Sequence, residues 1–225
     1  MPRHAVYWAP APEHPLWDAG CRWLGRDPAR PDAPLPPRDG VDEPRRYGFH
    51  ATLKPPMALR EGATDEAFLA AVDALAARLS RFAMPPLQVA WLGDFIALRP
   101  LPRIDASHPL RRLADVCVSE LDAWRAPPAE DDLRRRIDKG RLDPSQQALL
   151  RRWGYPHVFE HWRFHMSLTG SLPDDAALRD RWFTEATRHF APALAVPLEA
   201  DAVCVFTEPA PGAPFVLTRR CVLGP

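Results

Sequence analysis

Two short stretches of this chain write the same pattern: Phe49-His50-Ala51-Thr52-Leu53 and Phe164-His165-Met166-Ser167-Leu168. Each runs aromatic, His, apolar, hydroxyl, Leu. Of the eight histidines, only His50 and His165 are followed two positions on by Thr or Ser; His4, His14, His108, His157, His161 and His189 are not. Two imidazoles with two hydroxyls suit in-line displacement at phosphorus. A neutral imidazole takes a proton from the attacking oxygen and a protonated one gives a proton to the departing oxygen. An unperturbed pKa near 6.5 fits histidine to both jobs. Thr52 and Ser167 can donate hydrogen bonds to the non-bridging phosphate oxygens, whose charge grows in the transition state. Such a pair needs no metal, and no metal or cofactor is expected. It should give a bell-shaped pH profile, because one histidine of each charge state is required. One His-x-Thr/Ser triplet alone is mostly noise; the matched flanks make this pair a candidate site. The bland alternative is two buried histidines bonded within sheets.

The elements must bring the two copies together. Residues 47–54 and about 159–169 are rich in aromatic and β-branched residues and read as strands. Alternate side chains of a strand share a face. Phe49, Ala51 and Leu53 should then pack inward, while His50, Thr52 and Lys54 share the other face, with Arg46 and Gly48 ahead of them. In the second copy, Phe164, Met166 and Leu168 should pack inward, with His165, Ser167 and Thr169 opposite and Arg163 ahead. Imidazole and hydroxyl would stand roughly 7 Å apart along each strand.

Only Lys54 and Lys139 of the 29 basic residues are lysines, which singles out Lys54 to neutralise a bound phosphate, solvation being the alternative. Arg46 and Tyr7 are further candidates for substrate binding, although alternation leaves the face of Tyr7 undecided and arginine is abundant. Trp91 could stack on a base or sugar, or simply pack. The arginines at 134–136 read as a solvated helix face. His157, His161 and His165 have the spacing of one helix face and could hold zinc. Pro156 and the aromatic content favour a strand instead, which would set the ends of the run about 26 Å apart and make His157 and His161 surface or rim residues.

The remaining elements frame these stretches. A strand at 3–9 precedes a helix at 14–24 that stops at Gly25. Residues 26–45, rich in Pro, Asp and Arg, read as a surface loop. Thr64-Asp65-Glu66 can cap a helix whose stripe runs from Ala67 to Leu79. A hairpin around Gly93-Asp94 spans 86–99. Pro109 opens a helix of about 15 residues. Two charge-rich helical segments fill 129–153, and a helix covers roughly 174–190. Strands around 195–199, 202–207 and 214–222 close the chain. Frequent hairpins and little strict alternation favour an α+β fold with antiparallel sheets. No glycine-rich phosphate loop is present, which sets aside the usual nucleotide-binding folds.

Composition bounds the partners. The 225 residues carry a net charge of zero, with 46% hydrophobic and 26% charged residues. No global field recruits DNA or a membrane surface. The four cysteines show no metal-site or disulfide spacing. No apolar run has the length of a membrane span, and the first residues lack a signal-peptide core. A cytoplasmic monomer acting on a small phosphorylated substrate is the expectation, with an RNA end as a lesser candidate.

The paired motifs resemble the His-x-Thr/Ser pairs of the two-histidine (2H) phosphoesterase superfamily, which includes RNA ligase-like cyclic phosphodiesterases. More narrowly, RYGFHATLKPP, WGYP and FRFHMSLTG look like a bacterial branch associated with phosphonate metabolism, and the likeness runs over most of the chain. The resemblance implies a two-lobed α+β fold, residues 1–225 forming one domain with antiparallel sheets about a pseudo-twofold cleft. It implies His50 and His165 as acid and base and Thr52 and Ser167 as phosphate-oxygen ligands. Residues 129–153 would be an insertion specific to the branch, either a lid or a decoration. A metal-independent hydrolase of a small cyclic phosphodiester is the expected activity. A module that binds a phosphorylated ligand without turnover is the rival.

Overall fold

The computed structural model describes residues 1–225. Its order is β1 (Arg3–Trp8), α1 (Pro15–Leu24), α2 (Asp42–Tyr47), β2 (Ala51–Met57), α3 (Asp65–Ala77), β3 (Phe82–Ala83), β4 (Leu87–Leu92), β5 (Phe95–Pro100), α4 (Pro109–Glu120), α5 (Glu130–Gly140), α6 (Pro144–Trp153), β6 (Met166–Ser167), α7 (Ala176–Leu194), β7 (Glu199–Ala200), β8 (Ala202–Glu208) and β9 (Val216–Val222). Short 3-10 turns lie at Asp122–Trp124 and Phe159–His161. Every ladder is antiparallel, so the fold is α+β. One sheet has strand order β2-β1-β8-β9, a second β4-β5-β6, and β3 pairs with β7.

Local chemistry sets the helix ends. Thr64 accepts from Ala67 N at the start of α3. Asp143 and Gln146 form a reciprocal capping box at the start of α6. Gly25 and Gly154 close α1 and α6 in the left-handed region, where a side chain would be strained. Two expectations give way here. The loop predicted over 26–45 ends in α2, a six-residue helix too short to display apolar periodicity. The strand predicted over about 159–169 shrinks to Met166–Ser167, because a 3-10 turn occupies Phe159–His161. The turn needs Phe159 at φ 48°, outside the strand region.

One apolar cluster runs under both larger sheets. It joins Val6, Trp8, Leu53 and Val203 of the first sheet to Val89, Ile96, Leu98 and Met166 of the second. Helices α1 and α7 close over it, and Phe49 stacks on Phe190 of α7 with centroids 5.9 Å apart and planes at 11°. The motif strands β2 and β6 are edge strands of different sheets. A hydrogen bond of 2.9 Å from the Trp162 indole N–H to the Thr52 carbonyl ties the segment just ahead of β6 to β2. No helix is long and apolar enough to cross a membrane.

Candidate active site

Both imidazoles are set by the same device. His50 and His165 each lie one residue ahead of a motif strand, at the point where the chain enters the sheet. His50 Nδ1 is 2.9 Å from the Gly48 carbonyl oxygen, and His165 Nδ1 is 2.8 Å from the Arg163 carbonyl oxygen. A carbonyl only accepts, so Nδ1 carries the proton in each ring. The free position is therefore Nε2, with a lone pair when the ring is neutral and a proton to give when it is charged. Thr52 Oγ1 stands 3.3 Å from His50 Nε2.

A cavity of about 640 Å³ is lined by His50, Thr52, His165, Ser167 and Thr169 together, and by Tyr7. The two halves thus share one hollow. Each sheet also supplies an aromatic ring beside its imidazole. Tyr7 of β1 stacks on His50 at 3.6 Å, and Phe95 of β5 meets His165 edge-on at 5.9 Å. The pairing of Tyr7 with Thr52, and of Ala97 with Ser167, shows why: each neighbouring strand passes alongside its motif. Burial, opposed by the bond to the Gly48 carbonyl and helped by His165, pushes the His50 imidazole down to about 4. Burial also lowers His165, against the Arg163 carbonyl and with the help of Arg99 and His157.

Gly48 has to be a glycine. At φ 85° and ψ 179° it sits in a region open essentially to that residue, and a methyl group there would lie 2.9 Å from Cγ of Pro28. Gly48→Ala is expected to cost about 1–3 kcal/mol, read by chemical denaturation. Because its carbonyl orients His50, the same substitution should move the His50 imidazole resonances and leave those of His165 in place.

Lys54 is not in the cavity, which corrects the face assigned to it from alternation. The ladder pairs Tyr7 with Thr52 but Val6 with Lys54, so Leu53 is an extra residue and the strand bulges. A one-residue slip sends every later side chain to the other face. Lys54 is 1% exposed and donates from Nζ to the Val118 carbonyl at 3.1 Å and to Asp122 at 3.3 Å. Burial lowers it to about 8 despite that carboxylate. Arg46 is likewise drawn away from the imidazoles, paired with the buried carboxylate of Glu208. Trp91 stacks on Phe183 with planes at 10° and is packing, outside the cavity lining. Thr169 does line the cavity, but its hydroxyl accepts from Ile96 N at 3.1 Å, a structural bond between β5 and the segment after β6.

Sequence reasoning misses Tyr47, Tyr155 and Phe95, which line the cavity; His157, exposed, and His161, half-buried, border it too, in keeping with their reading as surface or rim residues. The strand expected there is interrupted by the turn at Phe159–His161, and both histidines line the cavity that His165 lines. His161 Nε2 is bonded to the Ser145 hydroxyl at 2.6 Å. A usable signal for Phe95 is its place just after the Gly93-Asp94 turn, at the start of the strand that pairs with the second motif. Arg163 also lines the cavity, with Nη1 donating to the carbonyls of Glu160 and Trp162, each at 2.9 Å.

Fold and site together describe an antiparallel α+β protein whose duplicated His-x-Thr/Ser half-sites open on one cavity. Residues 52–216 match the family described as "Protein of unknown function (DUF1045)", and the chain belongs to it. The chain is 41% identical over 237 residues to "Ribose 1,5-bisphosphate phosphokinase PhnN" of Janthinobacterium sp. (strain Marseille), covering 98% of this chain and 50% of that protein. It is 40% identical over 226 residues to the protein of the same name from Laribacter hongkongensis (strain HLHK9), covering 96% and 51%. The chain thus spans about half the length of the curated relatives it matches. A solved structure described as "Crystal structure of phosphoesterase" superposes with a TM-score of 0.46 at 12% identity, over 100% of both chains.

Proposed function

We propose that this chain is a metal-independent phosphoesterase of the two-histidine type, which opens a small cyclic phosphodiester of ribose or a nucleotide with water. The observation that supports the reading is the matched pair of Nδ1–H donors to backbone carbonyls, which leaves Nε2 as the free position of two rings that line one cavity. His50, the ring pushed to about 4, stays neutral and is the base. His165 is the acid, charged when an anionic substrate beside it offsets part of the burial cost. A water proton moves to His50 Nε2 as the water oxygen bonds to phosphorus. The phosphorus bond to the ring oxygen breaks, and His165 Nε2 delivers its proton to that oxygen. The product is a phosphomonoester with a freed hydroxyl. Thr52 and Ser167 donate to the non-bridging oxygens.

The relatives are named for a kinase of ribose 1,5-bisphosphate. This chain has no glycine-rich phosphate loop, so the kinase step is not assigned to it. Their named substrate nevertheless favours ribose phosphates as the substrate class, since ring opening of a cyclic ribose phosphate yields a ribose phosphomonoester. The sequence-level link to phosphonate metabolism belongs to the same reading.

The test is turnover of ribose 1,2-cyclic phosphates and 2′,3′-cyclic nucleotides with EDTA present. Phosphomonoester release undiminished by chelator is expected; tight binding without product would establish the binding module instead. The pH dependence adds a sign. Above the lowered pKa of His165 the acid is lost, and below about 4 His50 is protonated and the base is lost. Hence kcat/KM should peak on the acid side, between about pH 4 and the ordinary histidine value of 6.5. A maximum above about pH 7.5 would refute the role given to burial.

A further inference from the structure

We infer that a second cavity beside the imidazole pair is a subsite for a phosphomonoester group carried by the same substrate. The catalytic part of this inference rests on the phosphoesterase reading; the binding part does not. The second cavity measures about 400 Å³, and its wall carries Arg3 and Arg136 but no Asp or Glu. The main cavity, by contrast, includes Glu43 and Asp94. Tyr47, Pro55, Pro56, Tyr155 and His157 border both, so one ligand can reach across the Pro55-Pro56 edge from the imidazoles to the arginines.

The charge here is built rather than scattered. Glu208, 0% exposed, is paired with Arg3 through Nε and with Arg46. Two guanidinium groups share one carboxylate, which leaves a net positive charge and both Nη groups of Arg3 without a bond to that carboxylate. Burying Glu208 beside them fixes the Arg3 fork in place. From the other side, α5 brings Arg136, whose Nη1 donates to the Gly154 carbonyl at 3.3 Å and so is held where α6 ends. Two guanidinium forks match the three terminal oxygens of a phosphomonoester, which accept bidentate bonds. Tyr47 and Tyr155 add hydroxyl donors at the shared border. The charged helices of 129–153 therefore supply one wall of this subsite. A substrate filling both cavities is a cyclic sugar phosphodiester that bears a second, terminal phosphate.

The experiment compares ribose 1,2-cyclic phosphate with the same compound carrying a 5-phosphate. Charge-assisted hydrogen bonds of this kind correspond to about 10- to 100-fold, so kcat/KM should favour the 5-phosphorylated compound by that factor. Arg136→Gln should reduce the ratio about tenfold, with circular dichroism unchanged because Arg136 is exposed. Arg134→Gln, on the same helix but outside the cavity lining, should keep the wild-type ratio. A wild-type ratio near one, or a ratio untouched by Arg136→Gln, overturns the inference while leaving the phosphoesterase reading intact. If neither compound turns over, that reading fails, and calorimetry decides the subsite separately. Ribose 5-phosphate binding that is tighter than inorganic phosphate and weakened by Arg136→Gln supports it. Equal affinity in wild type and variant, or no preference for the sugar phosphate over inorganic phosphate, overturns it.

Discussion

His50→Ala and His165→Ala should each lower kcat/KM for a cyclic ribose phosphodiester by about 100- to 10,000-fold, the range for losing one general acid or base. If acid and base act in one transfer, as proposed, the double variant should be far less than multiplicatively worse. The expectation discriminates between chemistry and architecture. Each ring's hydrogen bond to backbone is to a carbonyl two residues away, Gly48 or Arg163, so removing it severs no long-range tie. The packing lost is the stack with Tyr7 and the edge contact with Phe95. Melting temperatures should move little beside the collapse in rate. Variants that unfold, or that retain more than a tenth of wild-type kcat/KM, would make the histidines structural.

Gly20→Ala should destabilise the protein by up to about 2 kcal/mol although it adds only a methyl group to a helix. That methyl would lie 2.1 Å, 2.2 Å and 2.5 Å from three ring carbons of Phe49. Phe49 cannot retreat: it is 0% exposed and stacked against Phe190. Overpacking of this kind costs about 1–3 kcal/mol, and alanine's better helix propensity returns about 1 kcal/mol at most. The repair is as telling as the damage. Because Phe49 immediately precedes His50, Gly20→Ala should also disturb the imidazole. Phe49→Leu in the Gly20→Ala background should recover stability relative to additivity, the signature of residues in contact. Denaturant midpoints of the four proteins in that cycle check it.

Much of this frame is legible from residue types. The capped helices α3 and α6, the hairpin of β4 and β5 and the closing pair β8 and β9 fall where turn chemistry and periodicity put them. The paired motifs stand out because their flanks match, and both copies do border one cavity. Lys54 escapes alternation for a reason that alternation cannot see: a bulge at Leu53, ahead of two prolines without N–H groups, inverts the faces within a single strand. The tight turn at Phe159–His161 is hidden by its own aromatic content, which favours a strand locally, while tertiary packing turns the chain back. Arg136 is indistinguishable in sequence from its neighbours at 134 and 135, because whether one arginine of a polar run meets a cavity is decided by where the helix docks. Tyr47 and Tyr155 sit in the stretches RYGFHATLKPP and WGYP, but nothing in their spacing shows that they border the same cavities; that is a property of the folded chain.

The Trp162 indole, bonded to the Thr52 carbonyl, clasps the segment just ahead of β6 to the other motif strand. Admitting a bulkier guest by parting that seam would break this bond, so the width of the hollow depends on the clasp as well as on contacts with the guest. Any widening of substrate range would begin at that tryptophan, which lines the same hollow as His50 and His165.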